Sequence, residues 1–202
     1  MQLVVASANP YKSAEIVSIL GEVPGLQLLP RPPEVPDVDE TGHTLVDNAR
    51  LKARALVAAT GLPSVADDTG LEVEALDGAP GVYSARFAGE GATYAENVAK
   101  LLVELERVGA TRPDQRGAVF RTVALAAFPD GTELWCDGEV PGVITAARAG
   151  ANGFGYDPVF APEGFDGLTF AQMSPDDKHG ISHRGRAFRA LARELSLRSP
   201  PS

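Results

Sequence analysis

The stretch Ser64–Leu76, SVADDTGLEVEAL, limits what this chain can be more than any other. Val65 and Ala66 end an apolar approach, while Leu71, Val73 and Ala75 alternate with Glu72 and Glu74 in the period of two that marks a half-buried strand. Between them stand Asp67, Asp68, Thr69 and Gly70. The pattern predicts a strand that delivers two adjacent carboxylates into a Gly-containing bend, a suitable place for a hard cation or a general base. Mg²⁺ usually takes one or two carboxylates and leaves its other positions to water and substrate phosphates. Taken alone, Asp-Asp-Thr-Gly reads equally as a solvated turn, because Asp and Gly favour turns for local backbone reasons.

Several other polar stretches follow the same logic. Leu3–Ala6 reads as a short strand, followed by Ser7-Ala8-Asn9-Pro10-Tyr11-Lys12, after which Ile16, Ile19, Leu20 and Val23 recur at helical spacing. A strand, a polar bend and a helix start offer backbone N–H groups and the positive end of a helix dipole, which suit phosphate. No GxxxxGK(S/T) loop is present, so Lys12 and Ser13 would act without a Walker cradle, and an ordinary strand-to-helix turn fits the same residues. Leu26–Leu29 reads as a second strand, and the proline-rich 30–36 as a stiff extended loop. Asp37, Asp39 and Glu40 then gather just before a helix over about Thr44–Ala59, which Gly61 and Pro63 stop. Acidic residues there are also expected from the helix dipole alone. Leu45, Ala49, Ala53, Leu56 and Val57 would face inward, with Asn48 and Lys52 sharing one face beside them.

Further along, Gly78, Pro80 and Gly81 mark a constrained loop carrying Ser84 and Arg86. A helix over about Thr93–Val108 would bury Val98, Leu101, Leu102, Leu105 and Val108. Ala118–Phe128 and Glu133–Ala147 flank Pro129-Asp130-Gly131-Thr132, a strong hairpin signal, with Trp135 in the core or on a dimer surface. Gly150–Val159, GANGFGYDPV, has three glycines that let a flat ring approach the backbone while Phe154 or Tyr156 stacks on it; the same residues also make a Gly-rich turn whose aromatics fill a gap. The last element covers Met173–Leu197, with Ser182 as an N-cap and Phe188, Leu191, Ala192 and Leu195 at helical spacing.

Length and composition narrow the class. A chain of 202 residues fits one domain and can bury a real core. A net charge of −9 argues against a nucleic-acid polymer as the partner, a role that normally shows a basic face, while leaving room for a small nucleotide. Cys136 is the single cysteine, which excludes an intrachain disulfide and fits a reducing compartment. No segment approaches the roughly 20 apolar residues of a membrane span, and Met-Gln-Leu-Val-Val carries no basic leader, so the expected setting is the cytoplasm with no membrane partner. Only four of the 18 Lys and Arg residues are lysines, and Lys12, Lys52 and Lys178 fall in the polar stretches above. A compact ammonium is a common choice for meeting a phosphate as a point charge.

SANPYK at 7–12, ETG at 40–42, NARLKA at 48–53, ADDTGL at 66–71, GAPGVYSAR at 78–86, NGFGYDP at 152–158 and SHRGRA at 182–187 occur in one order. Together they resemble the ITP/XTP pyrophosphatase family, enzymes that remove deaminated purine nucleoside triphosphates, and the resemblance covers essentially the whole chain. It implies an α/β fold with an elongated, long mixed β-sheet flanked by helices, two lobes with a central nucleotide cleft, one pyrophosphatase domain over residues 1–202, and a homodimer. It also implies Mg²⁺-dependent hydrolysis of ITP, dITP or XTP between the α and β phosphates. Carried over by position, Ser7, Ala8, Asn9, Pro10, Tyr11 and Lys12 would bind the triphosphate, and Glu40 and Asp68 the metal. Asp68 would be the general base with Asp67 as support. Thr69, Phe154, Gly155, Tyr156, Asp157, Lys178, His183 and Arg184 would contact the nucleotide. Thr69 replaces the more usual Ser and Asn152 the more usual Gly, and both keep the needed chemistry.

These residue types make a coherent mechanism. A triphosphate bears about four negative charges, which must be neutralised before water can attack. Lys12, Lys52, Lys178 and a metal on Glu40 and Asp68 would supply the counter-charge, and a carboxylate would orient or deprotonate the water. His183 and Arg184 can donate to a 6-oxo group, which adenine lacks. The alternatives are a related enzyme for pyrimidine or modified nucleotides, which should lack Ser182-His183-Arg184, and a catalytically silent nucleotide-binding regulator.

Overall fold

In the computed structural model, which describes residues 1–198, the chain is a mixed α/β fold. Among these residues seven strands form one sheet. They are β1 (Gln2–Val5), β2 (Gln27–Leu29), β3 (Ser64–Val73), β4 (Pro80–Gly81), β5 (Gly117–Ala127), β6 (Glu133–Ile144) and β7 (Phe160–Pro162). Five helices accompany them: α1 (Pro10–Leu20), α2 (Leu45–Thr60), α3 (Tyr94–Arg107), α4 (Pro175–Ile181) and α5 (His183–Arg198). The strand order is β2-β1-β3-β5-β6-β7, with β4 paired to β3. β1 runs parallel to both β2 and β3, whereas β3–β4 and β6–β7 are antiparallel. The sheet is therefore mixed, as expected. The chain divides into two units, and β3, β5 and β6 each give residues to both.

The first unit comprises residues 1–68, 122–138 and the C-terminal helix. Its core joins Leu3, Val5 and Val65 to Ile16 and Leu20 of α1 and to Phe188, Leu191 and Leu195 of α5. β3 explains the layering. Alternate strand residues point to opposite faces. Val65 accordingly enters the α1–α5 core, while Ser64 donates its hydroxyl to Ala53 O of α2 at 2.6 Å. The second unit, residues 69–121 and 139–182, packs Val98, Leu101 and Leu105 of α3 with Phe120, Phe160 and Phe170. The Phe120 and Phe160 rings meet edge-to-face at 4.6 Å, a favoured aromatic geometry.

Most predicted elements appear within a few residues, but three expectations change. Asp67-Asp68-Thr69-Gly70 is not a bend: β3 runs unbroken from Ser64 to Val73, and Glu74–Leu76 turns as a 3-10 segment instead. Parallel pairing of Val4 and Val5 with Ser64 and Val65, followed by antiparallel pairing at Leu71 and Glu72, holds the strand through residues whose local preference is a turn. Met173–Leu197 is two helices, because Ser182 adopts an extended conformation (φ −62°, ψ 151°) after α4. Val57 is only partly buried and Val108, at the end of α3, is exposed. Trp135 is half-exposed on β6, which fits the surface placement of the two read for it.

Gly138 of β6 sits where α5 begins. A Cβ there would run into His183 O and Ala187 N, atoms of helix backbone that cannot swing aside. Gly138→Ala is expected to destabilise the fold by about 1–3 kcal/mol through overpacking. Denaturant unfolding reads this directly, and an unchanged midpoint would show that the helix start yields without cost.

Candidate active site

The two carboxylates of β3 meet different surroundings because they are neighbours on a strand. Asp67 shares the face of Val65 and looks to α1 and α5; Asp68 shares the face of Ser64 and looks to α2. Asp67 is 3% exposed. Its Oδ2 accepts from Arg184 Nε at 3.2 Å and lies 3.4 Å from Lys12 Nζ. Burial works to raise the pKa of this carboxyl, but Lys12, Arg184 and Lys52 outweigh it and hold Asp67 well below the usual carboxylate range. Asp68 is 5% exposed, and burial pushes it above that range, with Glu40 adding to the effect against Lys52. One strand thus carries a more acidic carboxyl and a more basic one side by side. Environments that separate two titratable groups in this way are how acid and base roles become assigned.

Around Asp68 the partners come from α2 and the segment before it. Lys52 Nζ donates to Asp68 Oδ1 at 3.0 Å and to Glu40 Oε1 at 2.7 Å. Burial disfavours the Lys52 charge, yet Asp68, Asp67 and Glu40 prevail and raise its pKa. Asn48, fully buried one turn earlier, donates Nδ2 to Asp68 Oδ2 at 3.2 Å and accepts from Gly42 N at 2.8 Å. A side chain at Gly42 would collide with Asn48 Oδ1 and Asp47 Cβ, so glycine is what lets the acidic segment close onto the helix. Thr44 caps that helix by accepting from Asp47 N at 3.1 Å. The shared face of Asn48 and Lys52 was legible at i and i+4 spacing, but the role of Asn48 as the clamp between Gly42 and Asp68 was not.

The loop Ser7–Lys12 leads into α1 as expected, with one change to its chemistry. Asn9 is the N-cap: its Oδ1 accepts from Tyr11 N at 3.0 Å and Lys12 N at 3.4 Å, and Pro10 occupies the first turn. Two of the N–H groups expected to greet a phosphate are therefore already bonded to Asn9. Ser7 Oγ accepts from Asn9 N at 3.2 Å, and Ser13 Oγ donates to Ser7 O at 3.0 Å, which fixes the bend. Ala8, Pro10 and Tyr11 are exposed, and Lys12 keeps a fifth of its side chain in solvent. Burial, with Lys52 and Arg184 nearby, lowers the Lys12 pKa despite Asp67. Arg184, 2% exposed in the first turn of α5, also pairs through Nη1 with Glu15 of α1. Glu15 escaped notice in the sequence; its only signal is its place one helical turn after Lys12. His183, which opens α5, is buried beside it.

The remaining predicted residues belong to the second unit. Thr69 follows Asp68 on β3 and is partly buried. In the loop 150–159, Gly153 (φ 73°) and Gly155 (φ 63°) flank Phe154 in the left-handed region that favours glycine. Asp157 Oδ2 accepts from Phe154 N and from Lys178 Nζ, each at 2.7 Å. Lys178 is nearly buried and its ammonium also stands 5.0 Å from the centre of the Phe154 ring. Its charge is thus matched by Asp157, whereas the sequence suggested a group reserved for phosphate. Tyr156 is buried and donates its hydroxyl to Ser84 O at 2.9 Å, and burial pushes its phenol pKa upward. Of the two aromatics offered for stacking, Phe154 is the less buried.

Known proteins resemble this chain over nearly its whole length. A profile of the Ham1 family matches residues 3–194. A dITP/XTP pyrophosphatase of Streptomyces coelicolor is 44% identical over 197 residues, covering 94% of this chain and 94% of that protein. Among solved structures, a HAM1 protein from Coxiella burnetii superposes with a TM-score of 0.88 at 40% identity, covering 98% of this chain and 99% of its own. The Staphylococcus aureus Ham1 protein gives 0.85 at 37% identity, with 98% and 100% covered.

The Asp67 cluster has a measurable consequence for stability. Its folded pKa lies below the unfolded value of about 3.9, so the unfolded chain binds more protons in that window and stability rises with pH. The contribution is complete above about pH 4 and is lost as the pH falls through the depressed folded value. Asp67→Asn is expected to cost about 3–5 kcal/mol at neutral pH, since Arg184 and Lys12 are left facing an uncharged amide. It should also flatten the loss of stability below about pH 4. Unfolding curves across pH test both; an unaltered acid limb would mean that Asp67 is not the group that titrates there.

Proposed function

The chain belongs to the Ham1 family, and from that premise we propose that it hydrolyses the α–β anhydride of non-standard purine nucleoside triphosphates, ITP, dITP and XTP. One water is consumed, and the products are the nucleoside monophosphate and pyrophosphate. The name dITP/XTP pyrophosphatase, borne by a relative matched over nearly its whole length, supports the substrate class. The observation that carries the chemistry is the convergence of Glu40, Lys52 and Asp68, backed by Asn48.

Asp68 is the general base in this reading. Burial and Glu40 raise its basicity, and Asn48 and Lys52 each hold one of its oxygens, so it is oriented to take a proton from the attacking water. Lys12 and Lys52 meet the phosphates as point charges, with Ser7, Ala8, Asn9, Pro10 and Tyr11 shaping the loop beside them. Asp67 keeps Lys12 and Arg184 in place. Phe154 offers its face to the base on a loop fixed by Gly155, Tyr156, Asp157 and Lys178, and Thr69 adds a hydroxyl. His183 and Arg184 are the donors that this reading turns to a 6-oxo purine and that adenine cannot satisfy; Arg184, bonded to Asp67 and Glu15, would exchange one of those bonds to do so.

The donor set fits a hard divalent cation. Two carboxylates that converge on one ammonium are the number Mg²⁺ commonly takes from a protein, and among the described residues no larger cluster of His, Cys, Asp or Glu forms. Glu40 and Asp68 would hold the Mg²⁺, which when bound neutralises phosphate charge and acidifies water. One pyrophosphatase domain over residues 1–202, a homodimer as the working form and a cytoplasmic setting complete this reading. Among the described residues no helix is long and apolar enough to cross a membrane.

A panel of nucleoside triphosphates assayed for pyrophosphate release tests the proposal. ITP, dITP and XTP should be turned over with Mg²⁺ and not in excess chelator, Ca²⁺ should support little activity, and ATP should be a very poor substrate, by as much as ~10⁴-fold. Tight ITP binding without pyrophosphate release would favour a silent regulator, and full activity in chelator would remove the metal from the mechanism. Asp68→Asn preserves size and removes the base, so turnover is expected to fall by roughly 10²-fold or more while thermal unfolding remains cooperative. Near wild-type turnover in that variant would end the assignment of Asp68.

A further inference from the structure

Tyr94 lies outside every motif described above, yet it touches the ring to which the nucleobase is assigned. Its ring centre is 6.0 Å from that of Phe154, with the planes tilted by 43°. We propose that Tyr94 is a positioning residue for the base platform, setting the angle of the Phe154 ring and thereby the affinity for the purine. This rests on the reading of Phe154 as the stacking residue.

Phe154 needs such a brace. It stands between two glycines with left-handed backbones, so neither chain neighbour has a side chain to lean on it. Its own N–H is fixed by Asp157, which places the backbone but leaves the side-chain torsion open. Among the contacts that bear on the ring are the Lys178 ammonium over its face at 5.0 Å and Tyr94. The ammonium is itself held by Asp157, so it supplies attraction from one direction. A tilted aromatic pair adds the directional preference that an ammonium alone does not give.

The backbone of Tyr94 is placed well enough to act as a brace. It is the first residue of α3, directly after Thr93, which forms a capping box with Glu96. One turn on, Asn97 is 2% exposed; it donates to Ala85 O at 3.0 Å and accepts from Ala88 N at 2.7 Å. The adjacent residue Ser84 accepts at its carbonyl from Tyr156 of the base loop. The short helical turn Ser84–Arg86 is thus a common anchor: it holds the base loop through Tyr156 and the start of α3 through Asn97. Phe154 and Tyr94 project from two elements tied to the same point. Tyr94 itself is 44% exposed, which is unusual for a purely packing role and means that truncating it removes little of the core.

The experiment is steady-state kinetics with dITP on wild type, Tyr94→Ala, Tyr94→Phe, Phe154→Ala and the double variant, with thermal unfolding alongside. Tyr94→Ala should raise KM about 3- to 10-fold, the range an aromatic pair commands, with kcat and unfolding temperature nearly unchanged. Tyr94→Phe keeps the ring and should restore the wild-type KM. In the Phe154→Ala background, removing Tyr94 should add nothing, because its effect runs through that ring. An unchanged KM in Tyr94→Ala, a Phe variant as impaired as the Ala variant, or fully additive effects in the double variant would each overturn the proposal. Failure of the wild type to turn over dITP at all would instead sink the functional reading on which it rests.

Discussion

A charged carboxylate in the middle of a buried strand is costly unless it is matched, and in this chain the matching of Asp67 organises the first unit. Asp67 is 3% exposed in β3. The cations that answer it come from opposite ends of the sequence, Lys12 on α1 and Arg184 on α5. Both helices also bring Ile16, Leu20, Phe188, Leu191 and Leu195 to one apolar core. The ion cluster and the core therefore require the same docking of α1 and α5 on β3. Removing a partner from such a cluster costs more than forming it contributes, because a buried charge is left unmet. Glu15 extends the network by matching Arg184 from a second side.

Strand alternation then produces the site. Once Asp67 is committed to the α1–α5 face, its neighbour must face α2, where Asn48, Lys52 and Glu40 receive it. No loop is needed to separate the two acids; the pleat does it over one residue. This is why their ionisation is driven in opposite directions although their side chains have identical chemistry. In the second unit a different device serves the same end. Left-handed glycines aim Phe154, and Tyr156 and Asp157 pin the loop from within.

Much of this was legible in the sequence, and the gaps have physical causes. Helical periodicity located α1, α2, α3 and α5, and the Pro129–Thr132 turn located the hairpin, because local spacing reports which face is buried. The grouping of Lys12, Lys52, Asp67 and Asp68 followed from the family resemblance of the motifs that carry them. What failed were inferences where local preference and tertiary pairing disagree. Asp-Asp-Thr-Gly prefers a turn, but strand pairing on both sides keeps it extended. Partners separated by long stretches of chain were invisible: Glu15 with Arg184, Asp157 with Lys178, and Tyr94 with Phe154. Asn9 looked like a phosphate-loop residue and is also the helix cap, since one side chain can satisfy the N–H groups that a phosphate would otherwise meet.

The charge inventory of the first unit bears on how it can accept a polyanion. Lys12, Lys52 and Arg184 are linked there with Glu15, Glu40, Asp67 and Asp68, three cations against four carboxylates. The cluster is therefore negative by one charge, within a chain whose net charge is −9. A triphosphate of about four negative charges gains nothing from such a cluster as a whole, since the lysines are already held by acids. Either the acids must be neutralised or further positive charge must arrive with the substrate. Asp67 is the wrong acid to neutralise, because its environment keeps it ionised. Glu15 lies on the far side of Arg184, so Glu40 and Asp68 remain, the pair whose oxygens converge on a single point at Lys52. A divalent cation taken up by those two would reverse the sign of the cluster and release Lys52 toward the phosphates. The acids that make the resting site stable are thus what would make a triphosphate without a metal a poor ligand.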